Sequence, residues 1–461
     1  MRKSQDGWRR SKAVIVTTEP SSISKIYTER SSRSKVAFEN AKKWLPGGVA
    51  RNSVLAPPYP IFIETGKGSY IWDVDGNELI DFQNNFTSLI HGHADLDVME
   101  AARAQMENGT AFGAPTELEY ELCDVVGRRM PSLEQMRFAN SGSEAAQYCI
   151  LAAKAYTGKK KIVKFQGAFH GLNEHLMVSM HPTYVDSAAE GPLGQLDSEG
   201  MNGSILQTTY ALPYNQLGPL SKLLEAEAHS IAAIIVEPVL GVGGQIPATE
   251  EFLHGMRELA TRYGIVLIFD EIVTGFRLAV GGAQEKFGIR ADLTALGKIV
   301  GGGFSVGMFG GEREIMEVFD PSKGPRVPCS GTFAANPVTL TAGLTTLRKL
   351  NMESYEMLDG KAKRVEKWLD ENSPRFGIPV NLTRAGSVFN LHFVNNEVTQ
   401  YFDLREENKK MKNDFYISMF NQGISMAARG MCCISTPMTT QDINSFIDAM
   451  EVSLDAVRSA S

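Results

Sequence analysis

Gly264-Ile-Val-Leu-Ile-Phe-Asp-Glu271 is a run of five apolar residues closed by a glycine at one end and two acids at the other. A run that short, mixing branched and aromatic residues, reads as a strand covered on both faces. The helical spacing of Phe252–Tyr263 immediately precedes it. Outward from this unit the same alternation recurs. Ile231–Val236 is a second buried strand, stopped by Glu237-Pro238, and Lys161–Phe165, Met136–Ala139 and Leu293–Leu296 are further short strands. Ser141-Gly-Ser-Glu144 has the Ser-x-x-Glu pattern that opens a helix, which runs through Ala145–Tyr156 and stops at Gly158. Strands alternating with helices predict an α/β fold with a mostly parallel sheet covered by helices.

Before this region, Gly68-Ser-Tyr-Ile-Trp-Asp-Val-Asp-Gly76 and Glu78–Phe82 read as a hairpin with an Asp-Gly turn. After Pro337, Thr339–Leu350, Lys361–Asn372 and Gln441–Ala456 read as helices and Val388–Val394 as a strand. We therefore expect four parts: a flexible basic segment at 1–35, the N-terminal part of a small domain at 36–80, a large domain at 81–339, and the C-terminal part of the small domain at 340–461.

The chain has 461 residues, 43% hydrophobic and 21% charged, with a net charge of −7. That is globular composition, and its acidic balance argues against a nucleic-acid partner. Residues 1–35 carry nine basic and three acidic residues, a local +6 that fits a loose arm or a mitochondrial presequence. A cytoplasmic protein is otherwise expected: five scattered cysteines form no disulfide framework, and no apolar run reaches the roughly 18 residues of a membrane span.

Three features at strand ends carry chemistry. Asn140-Ser141-Gly142-Ser143 starts a helix, where free N–H groups and the dipole attract an anion. Asp270 ends a buried strand, where a carboxylate needs a cation such as a protonated ring nitrogen. Lys298, in Leu296-Gly297-Lys298 before Gly301-Gly302-Gly303, stands where desolvation makes an amine nucleophilic toward a carbonyl. Each alone has an ordinary structural explanation. An anion cradle, an acid for a pyridinium and an imine-forming lysine, in that order, describe a site for pyridoxal 5'-phosphate.

Asn140-Ser-Gly-Ser-Glu-Ala145, Gly167-Ala-Phe-His-Gly171, Val236-Glu-Pro-Val239, Phe269-Asp-Glu-Ile-Val-Thr-Gly-Phe-Arg277, Leu296-Gly-Lys298 and Ser330-Gly-Thr-Phe333 resemble the class III aminotransferases of fold type I. The likeness runs from about Pro46 to Pro337 and continues more weakly to the C-terminus. It implies a seven-stranded sheet in the large domain and a smaller α+β domain. It implies that Lys298 holds the cofactor as a Schiff base and shuttles the proton, with Asp270 on the pyridine nitrogen. It implies phosphate contacts from Ser141, Gly142 and Ser143, ring contacts from Phe169 and Ile272, and a cofactor border that includes His170, Glu237 and Asn215. Thr332 would reach the neighbouring site of a homodimer. His91 and His93 suggest no metal site, because no third ligand stands nearby.

Pro46-Gly-Gly-Val-Ala-Arg51 resembles a loop shared by glutamate-1-semialdehyde aminomutases and β-amino-acid aminotransferases, in which the arginine takes the substrate carboxylate. Arg429, in Met426-Ala-Ala-Arg-Gly-Met431, resembles the acid-binding arginine of β-phenylalanine-type aminotransferases. Phe62, Phe86 and Tyr184 are candidate pocket walls. The leading expectation is ping-pong transfer of an amino group from a β-amino acid or related amine to a keto acid. The alternative is an aminomutase that shifts the group within one substrate. Intact Lys298 and Asp270 oppose a non-catalytic scaffold, and Thr157-Gly-Lys-Lys160 lacks the residues of a phosphate-binding loop.

Overall fold

In the computed structural model, which describes residues 22–182 and 194–460, the apolar runs pair as their alternation requires. The first sheet begins with β1 (Ile63–Lys67), β2 (Tyr70–Asp73) and β3 (Glu78–Asp81), antiparallel neighbours in sequence. The expected hairpin is β2–β3, and β1 is an added strand. The large sheet uses β4 (Gln135–Ala139), β5 (Lys161–Phe165), β6 (Thr209–Leu212) and β7 (Ile231–Val236). A short antiparallel pair follows, β8 (Val239–Leu240) and β9 (Ile246–Pro247). Then come β10 (Val266–Asp270), β11 (Leu293–Gly297) and β12 (Gly307–Gly311).

The large sheet has seven strands in the order β4-β12-β11-β10-β7-β5-β6. Its pairs are parallel from β11 through β6, and β12 runs antiparallel to both its neighbours. All six residues of β7 and all five of β10 are buried, as a sheet covered on both faces demands. Helices Gly142–Thr157 and Glu250–Tyr263 lie among these strands and end on left-handed glycines, Gly158 and Gly264.

The last strands are β13 (Asn381–Ala385), β14 (Val388–His392), β15 (Ile424–Ser425) and β16 (Met431–Cys433). β13, β14 and β16 form a third sheet, whereas β15 joins the first sheet beside β3. Helices Pro337–Lys349, Met352–Asn372, Lys409–Asn421 and Thr440–Ser459 complete this part.

Part of the expected loose arm is ordered. Residues 22–30 and 32–35 fall within helices Ser22–Arg30 and Ser32–Ala41. Ile23 and Tyr27 bury against Tyr59, Ile417 and Phe420, and the Tyr27 hydroxyl donates to Tyr59 O at 2.6 Å. Two apolar residues at helical spacing supply the packing that net charge alone hides. Residues 1–21 lie outside the described part. No helix among the described residues is long and apolar enough to cross a membrane.

Candidate active site

Parallel strands deliver their following residues to one edge of the sheet, the usual place for a ligand in an open α/β fold. Here β4 is followed by Asn140–Ser143, β7 by Glu237, and β11 by Lys298, while β10 ends in Asp270. The loop after β5 brings Phe169 and His170 to the same edge: the Phe169 N–H donates to Glu237 Oε1 at 2.7 Å, and His170 Nδ1 lies 2.7 Å from Asp270 Oδ2.

The helix start is shaped for close approach. Ser141 Oγ accepts the Glu144 N–H at 3.2 Å, as the Ser-x-x-Glu pattern predicts. The Glu144 carboxylate, however, returns to the N–H of Asn140, one residue earlier than the usual box. A Cβ on Gly142 would sit 2.6 Å from Ile272 Cδ1, and one on Gly171 would sit 2.3 Å from Ser143 Oγ. The N-terminus of this helix is thus open to a ligand only because these two positions lack side chains.

Lys298 is half-buried and has a left-handed backbone, φ +52°. Its amine makes no hydrogen bond or ion pair with the described residues. Burial pushes its pKa down; the Asp270 and Glu237 carboxyls oppose that shift and the Arg429 charge adds to it. Glu237 moves the other way. Burial, helped by the charge of Asp270, raises its carboxyl to about 8 against the N–H groups of Phe169 and Gly241. The His170 imidazole is pushed down by burial, with Asp270 opposing, so it is neutral, and its Nδ1–H faces the carboxylate. Its Nε2 is buried without a partner. Among the described residues, the side-chain contact of His170 is to Asp270.

The acid-binding candidates converge on one ring. The guanidinium carbon of Arg51 is 5.5 Å from the centroid of Phe86, and that of Arg429 is 5.1 Å from it. Arg51 is exposed; Arg429 is largely desolvated, its pKa lowered by burial and supported by Glu237, and its Nε has no partner. Phe86 sits in the turn Asn84–Thr87, whose four residues have φ of +47°, +46°, +54° and +75°. Such a conformation costs roughly 1–2 kcal/mol per residue that is not glycine, so the surroundings must hold it. Asn84 Nδ2 donates to Asp81 O at 2.9 Å and Cys433 O at 3.3 Å. The only sequence signal for this turn is the Asn84-Asn85 pair, since asparagine tolerates left-handed backbone better than most residues.

Other expected residues stand apart. Asn215 is a turn residue, φ +60°, tying Pro247, Thr249 and Thr399 by hydrogen bonds of 3.1, 3.0 and 2.7 Å. All three of these bonds are made to the main chain. Phe62 lies at the first sheet, where its N–H donates to Ser34 Oγ. Tyr184 lies outside the described residues. His91 and His93 have separate partners, Thr436 with Thr346 O for the first and Asp81 for the second. Thr332 is exposed; the adjacent Gly331 lies against Asn140, so this corner borders the helix start.

Sequence reasoning missed Lys164. Its side chain is fully buried on β5, and its Nζ donates to the carbonyls of Ala168, Leu176 and Val178. Those bonds pin the loop that carries Phe169 and His170. A lysine inside an otherwise apolar strand, Ile162-Val-Lys-Phe165, is the signal that could have revealed it.

The donor set fits pyridoxal phosphate: a helix start open at Gly142, a lysine amine without a partner, and a carboxylate fixed by a neutral histidine. A family model for Aminotransferase class-III matches residues 52–444. The chain is 41% identical to a glutamate-1-semialdehyde 2,1-aminomutase 2 of Bacillus licheniformis over 424 residues, covering 91% of this chain and 96% of the relative. It superposes on an omega-transaminase from Sphaerobacter thermophilus with a TM-score of 0.90 at 38% identity, covering 94% of this chain and 99% of the other. A β-phenylalanine aminotransferase from Variovorax paradoxus gives 0.84 at 33% identity, covering 93% and 96%. The architecture is that of fold type I.

Proposed function

The chain belongs to the class-III aminotransferase family, and from that premise we propose that it moves an amino group from a β-amino acid or related amine to a keto acid, with pyridoxal phosphate held at Lys298. The observation that carries this reading is the pair of guanidiniums, Arg51 and Arg429, on the single ring of Phe86. Two arginines suit an enzyme that must receive two different acids in turn. The relatives named as an omega-transaminase and a β-phenylalanine aminotransferase support it.

When bound, the cofactor supplies a carbonyl for the substrate amine and a ring that takes up the electron pair released at the amine carbon. The N–H groups of Ser141–Ser143 would hold its phosphate, and Phe169 and Ile272 would contact its ring. Asp270, oriented by His170, would keep the ring nitrogen protonated. Lys298 takes the proton from the substrate carbon and delivers it to the next atom. Burial lowers its basicity, which favours the neutral amine that this role requires. Arg51 and Arg429 orient the substrate's carboxylate. Thr332, exposed beside the helix start, serves the neighbouring site of a homodimer.

The aminomutase name of the B. licheniformis relative supports a second reading, an intramolecular shift of the amino group. The two separate in one assay. Purified enzyme loaded with pyridoxal phosphate is given an amine substrate with and without 2-oxoglutarate or pyruvate. Turnover that requires the keto acid supports transfer; multiple turnovers without any keto acid overturn it in favour of the mutase.

A further inference from the structure

Arg277 is 1% exposed, yet among the described residues no acid forms an ion pair with it. Its guanidinium is spent on neutral groups. Nη2 donates to Thr87 O at 2.7 Å; Nη1 donates to Ile434 O at 2.8 Å and Ser387 Oγ at 3.3 Å; Nε has no partner. A buried cation without a counter-charge is expensive to keep, so its geometry invites a functional explanation.

The carbonyl it holds is the last of the left-handed turn Asn84–Thr87. That turn displays Phe86, and Phe86 is the ring shared by Arg51 and Arg429. Arg277 itself follows β10 by way of the tight loop Glu271–Phe276, in which the Gly275 N–H donates to Glu271 O and the Arg277 N–H to Thr274 O. It also grips Ile434 O, just beyond β16, the strand after Arg429. One guanidinium thus links the loop behind Asp270 to the turn that displays Phe86 and to the segment that follows Arg429.

We propose that Arg277 is a positioning residue for the two-arginine subsite: by capping the turn at Thr87 O and holding Ile434 O, it fixes the Phe86 ring between Arg51 and Arg429 and so sets the enzyme's preference for acids. The proposal rests on the reading of Arg51 and Arg429 as carboxylate binders. It assigns selectivity to a residue that touches no substrate, and it leaves the cofactor contacts untouched.

The test uses the full chain loaded with pyridoxal phosphate. Glutarate, an unreactive dicarboxylate, is titrated by calorimetry into the wild type and into Arg277→Lys, Arg277→Met, Phe86→Leu and Arg429→Met. Turnover is measured beside it with an acid-free amine. Arg277→Met and Phe86→Leu are each expected to weaken glutarate by about tenfold or more, with Arg277→Lys between them and the wild type. In the two Arg277 variants the cofactor absorbance stays, and KM for the acid-free amine changes by less than about threefold. Glutarate binding unchanged in Arg277→Met, with a lower melting temperature alone, overturns the proposal and leaves a structural arginine. If Arg429→Met weakens glutarate and none of the other three substitutions does, the two-arginine reading stands and this inference falls. If Arg429→Met has no effect, both fall. Should the Arg277 variants fail to fold, Phe86→Leu decides, because loss of glutarate affinity there supports the ring's role and unchanged affinity overturns it.

Discussion

His170 Nδ1 and Asp270 Oδ2 are 2.7 Å apart, with both side chains shut away from solvent. Asp270 Oδ1 also accepts the Ile272 N–H at 3.1 Å, so both carboxylate oxygens are oriented before any ligand arrives. Asp270→Asn replaces an acceptor-only group with a neutral amide. We expect turnover to fall by about a thousandfold or more, as for other removals of preorganised charge. His170→Phe, which leaves the carboxylate but frees it to turn, costs about ten- to hundredfold. Equal losses in the two variants, measured as kcat at saturating substrate, would show that the histidine does more than orient.

Lys298→Ala removes an amine at this edge that makes no hydrogen bond or ion pair among the described residues. Turnover drops below detection. Borohydride reduction of the loaded wild type, followed by peptide mapping, labels the peptide containing residue 298, and the variant takes no label there. A label at Lys164 in the wild type would contradict the assignment.

Glu237 gives the site a pH signature in the absence of cofactor. Its folded pKa is about 8, against an unfolded value near 4.5. Between those values the native state keeps a proton that the unfolded chain releases, so this group's contribution to stability is fully present at low pH and declines as pH rises toward 8. Glu237→Gln has the same shape and cannot ionise. Its urea midpoint is expected to gain on the wild type between pH 5 and pH 8; parallel curves over that range would refute the raised pKa.

Lys164→Met keeps the apolar stem and deletes three hydrogen bonds to buried carbonyls. Each carbonyl left unsatisfied costs about 1–3 kcal/mol, so the variant should lose several kcal/mol in denaturant unfolding. Cofactor affinity should fall with it, because the loop bearing Phe169 and His170 is released. Unchanged cofactor affinity in a destabilised variant would restrict Lys164 to the fold.

How far the chain discloses itself depends on whether a signal is local. β10 and β7 were legible because each is a short apolar run with a stop at its end. β12 was not: three of its five residues are Gly307, Gly310 and Gly311, which oppose a strand on propensity. The structure supplies the reason. A Cβ at these positions would lie 2.1 Å from Ser141 O, 2.3 Å from Gln135 O and 2.0 Å from Asp292 O. The antiparallel strand fits between β4 and β11 only because these three positions lack side chains.

The site divides in the same way. Ser141–Ser143, Asp270 and Lys298 each stand beside a recognisable strand end or helix start. The Arg277–Thr87 bond spans 190 residues, and the turn it secures has no periodicity to read. The common ring of Arg51 and Arg429 likewise exists only once three distant segments are packed.

β15 enters the first sheet from near the far end of the chain and lies parallel to β3, with Ile424 beside Ile80 and Ser425 beside Asp81. During synthesis, therefore, the ribosome must deliver every segment between β3 and β15 before this sheet acquires its fourth strand. The large α/β layer can condense earlier, from segments that follow one another as they emerge. The corner where Arg51 and Arg429 meet Phe86 matures last, so a truncated or stalled nascent chain would be expected to form the helix start at Gly142 while still lacking that shared ring.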